Sequence, residues 1–147
     1  MRLIFALLMM LATLPAMAAE SFPTSALDIE TAAGQKFHFN VQLALTPAQQ
    51  TQGLMYRTDL KPDAGMLFVN RDARPMSMWM KNTLIPLDMV FFDTDGRIVN
   101  IEANAVPETL TSRSSKGAVK GVLELPGGTA AKLGIRAGDK LLSPDLK

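Results

Sequence analysis

The stretch PMSMWMKNTLIPLDMVFFDTDGRIVNIEA, residues 75–103, decides how the chain folds. Residues 87–92 are apolar except for Asp88 and are rich in side chains that favour strands, which predicts a buried strand. Asp93-Thr94-Asp95-Gly96 then forms a tight turn, and residues 97–103 return as the second strand of a hairpin. Upstream, residues 76–81 carry strand signals, with Met76, Met78 and Met80 alternating on one face and Trp79 on the other. Pro86 biases Ile85 toward extended backbone and interrupts pairing, so a rigid turn is expected to return Asp88 toward Lys81 or Asn82.

The rest of the chain repeats this style. Residues 27–30 and 37–43 alternate apolar and polar as half-buried strands do, with a turn at 33–35 between them. Thr46-Pro47-Ala48-Gln49 is a helix start: Thr46 can cap, Pro47 suits the first helical position and Gln49 completes a capping box. Gly53 weakens that helix, whose end is expected near Tyr56. Residues 65–69 and 117–125 read as strands, and Thr129 is expected to cap a short helix over 130–133 that Gly134 stops in the left-handed conformation. Gly138-Asp139 turns the chain into a last strand at 140–142. The sum is a mainly β (α+β) chain of about eight short strands and two short helices, which predicts a compact, mostly antiparallel barrel or sandwich.

The chain has 147 residues, and residues 1–18 read as a secretory signal peptide: Arg2, an apolar run from Leu3 to Leu14, Pro15, then Ala16-Met17-Ala18 as the cleavage rule requires. That run of about 12 residues is too short to span a bilayer, so no integral span is expected after cleavage behind Ala18. The expectation is a periplasmic or secreted protein with a short leader at 19–25 and one globular domain at 26–147. Losing residues 1–18 removes Arg2 and leaves 14 basic residues against 14 acidic ones, which gives no electrostatic reason to expect nucleic acid as a partner. The absence of cysteine removes disulfides, thiol catalysis and thiolate metal sites.

Two constellations could carry chemistry. Met76, Met78 and Met80, with His38 and Trp79 as company, could present soft ligands to copper(I) or silver(I). An alternating row of methionines is more simply a core-facing row, and His38 shares its strand face with Asn40 and Gln42, which reads as a solvent face. The second constellation is polar: Arg57, Lys81, Asn82, Thr83, Asp88 and Glu124, with Trp79 as an apolar wall. Burial of such a set is tolerable only if its members bond one another or a ligand. Lys81, Asp88 and Glu124 have the groups for acid–base catalysis, but no nucleophile–base pair, catalytic triad or phosphate loop is legible. Asp93-Thr94-Asp95-Gly96 begins like a calcium loop, yet its glycine comes two positions early and strand residues follow. The stretch GGTAAKLGIRAGDKLL resembles part of a PDZ domain, but only eight residues follow Asp139, too few for that domain's remaining strand and groove helix.

Four blocks carry a resemblance to a known family: GLMYRTDL (53–60), GMLFV (65–69), WMKNTLIPLDMVFFDTDGRI (79–98) and VLELPGGTAAKLGIRAGDKL (122–141). In this order they closely resemble the domain of unknown function 192 family. The resemblance implies a small, mainly β domain, often exported in bacteria, and implies no activity. The matching positions are Arg57, Trp79, Met80, Lys81, Asn82, Thr83, Pro86, Asp88 and Glu124. Met78 departs from the family, which typically has an aromatic residue before the tryptophan, and Met76 lies outside the motif.

The leading expectation is an exported, noncatalytic domain, without a cofactor, that binds a small polar ligand or an envelope component. Lys81, Asn82 and Arg57 would supply donors, Asp88 and Glu124 would orient them, and Trp79 would form a wall. The alternatives are an envelope hydrolase using Asp88 or Glu124 as general base, and a structural or interaction module. A strongly raised carboxylate pKa beside a cleft would favour the hydrolase over simple binding, and an exposed apolar patch in place of a cavity would favour the module.

Overall fold

The structure, a computed structural model, describes residues 19–146. The expected signal peptide, residues 1–18, lies outside the described residues. Nine strands and two short helices run in the order β1 (Thr24–Glu30), β2 (Lys36–Ala44), α1 (Pro47–Gln52), β3 (Ala64–Arg74), β4 (Ser77–Met78), β5 (Leu87–Phe92), β6 (Ile98–Ala105), β7 (Arg113–Ser114), β8 (Val119–Pro126), α2 (Thr129–Leu133) and β9 (Lys140–Leu142). A 3-10 turn, Pro144–Leu146, closes the chain. Seven strands form one sheet in the order β6-β5-β8-β3-β2-β1-β9, while β4 and β7 pair apart from it.

The sheet curls because its two ends are stitched together. Arg97, just before β6 at one edge, bridges Lys140 of β9 at the other. The Leu141 N–H donates to the Gly96 carbonyl at 2.7 Å and the Ile98 N–H to the Asp139 carbonyl at 2.8 Å. The result is a half-barrel rather than a sandwich. The pairing is antiparallel except between β2 and β3, which run parallel. A parallel return needs a long crossover, and residues 45–63 supply it, carrying α1 over one face of the sheet.

Both faces of the central strands are buried, which makes β5 buried at all six positions. One face packs Leu27, Phe39, Val41, Leu67, Val90, Phe92, Leu123 and Leu125 inside the curl, beside Ala130 of α2. The other packs Met66, Phe68, Met80, Leu87, Met89, Phe91 and Val122 beneath Leu54 of the crossover. The period of two alternates these sets along β3, β5 and β8, so Asp88 faces the first set and Glu124 the second.

Several local expectations need correction. α1 has the expected capping box, but it stops at Gln52, four residues early, because Gly53 takes φ 48° and ends it. Gly128, in the left-handed region, precedes α2, and Thr129 caps nothing: its hydroxyl donates to the Pro126 carbonyl at 2.6 Å. The strand expected over 76–81 is reduced to Ser77–Met78, because Lys81-Asn82 turn and Asn82 takes φ 52°. Trp79, Lys81 and Thr83 therefore all lie outside the strand. β1 opens at Thr24, inside the stretch expected as leader.

Asp88 does not return to Lys81 or Asn82. It is fully buried, and its Oδ1 accepts the N–H of Asn104 at 2.9 Å and of Gly128 at 3.0 Å, while Oδ2 accepts the Ala130 N–H at 2.8 Å. One carboxylate thus ties β5 to the end of β6 and to the start of α2. Replacing Asp88 by Ala strands these three donors and should cost on the order of 3–5 kcal/mol, with Asp88→Asn losing less because one carbonyl can still accept. Urea denaturation of the two variants checks this, and a loss below about 1 kcal/mol for Asp88→Ala refutes the role.

Candidate functional site

The crossover, the β3–β8–β5 sheet and the 75–86 segment meet around a cleft of about 250 Å³. Its floor is Glu124 on β8, whose neighbours across the sheet are Met66 on β3 and Met89 on β5. Phe68, Leu54 and Met78 make the apolar walls, Gly53 lets the chain pass close to Phe68, and Thr83 and Trp79 stand on the loop side. Glu124 is 4% exposed. Among the described residues no cation pairs with it, and burial pushes its carboxyl from the ordinary value up to about 8. It is therefore protonated at neutral pH, a neutral acid at the base of a half-apolar cleft.

The rim is built from backbone in a conformation that side chains other than glycine seldom adopt. Tyr56, Asn82 and Glu108 have φ of 64°, 52° and 59°. They interlock: the Tyr56 N–H donates to the Asn82 carbonyl at 2.8 Å, and the Glu108 N–H to the Thr83 carbonyl at 3.0 Å. Strain held in this way is stored where surrounding bonds fix it. The same three loops expose Tyr56, Leu84, Val106 and Leu110, and Trp79 is half exposed with the Lys81 ammonium 5.3 Å from its ring centroid.

The structure gathers two of the polar candidates, Thr83 and Glu124, at the cleft together with the expected wall residue Trp79. The others lie apart from its lining. Arg57, half-buried, donates from Nη2 to Gln42 Oε1 at 2.6 Å. Lys81 is exposed and in no ion pair among the described residues. Asn82 offers its amide to Met55 Sδ at 4.0 Å, and Asp88 faces the opposite side of the sheet. Met80 is fully buried and Met76 and Met78 pack against the same core, so all three methionines serve as packing side chains. His38 sits away from them in its bonding, with Nδ1 2.8 Å from Asp28 Oδ1 on the exposed side of β1 and β2. Sequence reasoning missed Gly53, Leu54 and Phe68; the first two stand in the same block as Arg57, but nothing local says that the crossover folds back over Glu124.

A curled half-barrel with a buried acid beneath its crossover defines a small β domain built around one cleft. The chain belongs to the DUF192 family, described as "Uncharacterized ACR, COG1430", which matches residues 29–143. It is similar to a crystal structure from Sinorhizobium meliloti 1021 described as a candidate transcription regulator: 44% identity over 86% of this chain and 98% of that one, with a TM-score of 0.83. It is also similar to a protein of unknown function from Novosphingobium aromaticivorans DSM 12444, at 39% identity over 89% of this chain and 94% of that one, with a TM-score of 0.80. No curated protein matches.

Two outcomes follow from the geometry. A carboxyl that holds its proton in the folded state to about pH 8 but releases it near 4.5 when unfolded makes the native state bind the extra proton between these values. Stability therefore falls as pH rises through that window, by up to about 1.4 kcal/mol per pH unit, and levels off above it. Glu124→Gln should remove this slope, as urea denaturation from pH 5 to pH 9 would reveal; parallel curves for the two proteins would contradict the burial argument. Lys81→Met breaks no ion pair among the described residues and should change stability by less than about 1 kcal/mol.

Proposed function

We propose that the protein is a noncatalytic binding domain whose cleft over Glu124 receives a small polar ligand or an envelope component. The observation that carries this reading is Glu124 itself: a nearly buried carboxyl that no cation pairs among the described residues, opening into a cleft instead of packed shut. An acid in that position is costly unless something bonds it. A ligand that brings a hydrogen-bond donor or a cation to Glu124, and an apolar body against Phe68, Met78 and Trp79, would supply the missing partner. Among the described residues no helix is long and apolar enough to cross a membrane, and export from the cytoplasm rests on residues 1–18 alone. The balanced charge of residues 19–147 gives no electrostatic support for carrying the transcription-regulator description of the Sinorhizobium meliloti structure over to this chain.

A second reading has one observation in its favour. A carboxyl poised near neutrality beside a cleft is what general acid–base catalysis uses. Glu124 could serve as that group in a hydrolase acting on envelope material. Against it, Asp88 and Lys81 do not line the cleft, so a second catalytic carboxylate or an adjacent ammonium is not at hand.

Binding and catalysis separate in one experiment. Native mass spectrometry of the protein purified from the periplasm without chelators should show a retained adduct, lost in Glu124→Gln and weakened roughly tenfold in Trp79→Ala. A cationic ligand should also release a proton on binding near pH 7, because it drives Glu124 to the charged form; calorimetry in buffers of different ionisation enthalpy reads that proton. Turnover of the adduct on incubation would favour the hydrolase, as would its retention without turnover by Glu124→Gln, whereas retention by Glu124→Gln with no turnover by either protein would sink both readings.

A further inference from the structure

The cleft does not end at Glu124. Through Gln50, Thr51, Phe68, Ser77 and Met78 it continues into a wider hollow of about 470 Å³ that Arg74 and Pro75 border. The two together form a groove with α1 as one wall and residues 74–79 as the other, Glu124 toward one end and Arg74 toward the other.

The second wall is an unpaired strand edge. Among the described residues β4 pairs only with β7. The Ser115 N–H donates to the Met76 carbonyl at 2.9 Å, and the Met80 N–H donates to the Thr109 carbonyl at 3.0 Å. Main-chain groups alternate sides along an extended segment, so those of residues 76, 78 and 80 turn toward β7 and the 105–113 loop. Those of Ser77 and Trp79 turn the other way, away from β7. An edge of this kind is a template for another strand, and here it is neither buried by a helix against it nor blocked by a proline at 77 or 79.

We infer that the groove takes an extended peptide that adds as a strand to β4 and delivers a primary ammonium to Glu124. Three features of the groove select this occupant. The main-chain groups of Ser77 and Trp79 recur at the two-residue period of a peptide backbone, which a sugar or an isolated ion does not match. Met76, Met78 and Phe68 offer apolar contacts to the side chains of alternate residues. The groove is also polarised: at one end is Glu124, in no ion pair among the described residues, and at the other the Arg74 guanidinium, which donates to Asn70 Oδ1 at 3.1 Å, an arrangement that complements a chain with its ammonium leading and negative charge trailing. The ammonium could come from the peptide's N-terminus or from a lysine side chain. This inference rests on the reading of the Glu124 cleft as a binding site and adds the class of partner.

Calorimetry with four probes decides it: butylammonium, a hexapeptide of alternating valine and serine with a free N-terminus, the same peptide N-acetylated, and the acetylated peptide with one lysine. The peptides bearing an ammonium should bind roughly tenfold or more tightly than butylammonium, and the acetylated peptide without lysine should lose that binding. Whichever of the free-terminus and lysine peptides binds tighter names the source of the ammonium. N-methylation of alternate peptide amides should remove the advantage, as should Ser77→Pro, which removes an outward-facing N–H and keeps the main-chain pairing with β7 while losing the 2.8 Å hydroxyl contact to Ser114. Butylammonium binding should vanish in Glu124→Gln. If butylammonium binds but peptides bind no better, or N-methylation has no effect, the strand-addition inference fails while the Glu124 reading stands. If the acetylated peptide binds as well as the others, the ammonium assignment fails. Absence of binding by every probe overturns the inference and the cleft reading together.

Discussion

The carboxylate of Asp88 holds together the parts of the half-barrel that the strand ladder alone leaves apart. Its three accepted N–H bonds come from the end of β6, from the Gly128 turn and from the first turn of α2. The backbone there bends sharply, with Asn104 and Gly128 both in the left-handed region, and such bends strip amides of ladder partners. A charged acceptor with two oxygens replaces those partners at once. Because α2 covers the inside of the curl through Ala130, the packing of that face depends on where Asp88 places the helix.

Glu124 is the counterpart on the other face. Both residues are acids in central strands and both are almost fully buried. Asp88 is bonded three times by the backbone, whereas Glu124 lies between two methionines without a protein cation, and burial keeps its proton on at neutral pH. Two carboxyl groups with the same sequence signature, a lone acid flanked by apolar residues, thus have opposite physical situations. The first is a structural pin. The second is an open valence facing a cleft, and the proposed function rests on that contrast.

Much of the fold was legible along the chain because it is carried by local chemistry. The 87–92 strand, the Asp93–Gly96 turn, the capping box at Thr46 and the last strand at 140–142 each depend on residues a few positions apart, and each lies where those residues put it. The misreading of residues 76–81 has a non-local cause. Residues 76–81 alternate in sequence and in burial, yet the strand lasts two residues, because the Met80 N–H finds Thr109 in a distant loop and Asn82 turns the chain into contact with Tyr56. Alternation reports which side chains are buried; it does not report which backbone groups find a partner.

The same limit applied to the site. The chemistry-bearing residues Trp79, Thr83 and Glu124 could be singled out, because a polar group in an apolar run demands an explanation wherever it occurs. Their grouping apart from Arg57, Lys81 and Asp88 could not, since it follows from the strand period, which sends Asp88 and Glu124 to opposite faces, and from the parallel β2–β3 pairing, which draws the crossover over only one of them. The sequence by itself therefore determined the family, the β character, the hairpin and cap chemistry, and the short roster of side chains from which a site could be made. Tertiary structure alone decided which acid the backbone would satisfy and which would be left facing a cleft, because that choice depends on contacts between segments far apart in the chain.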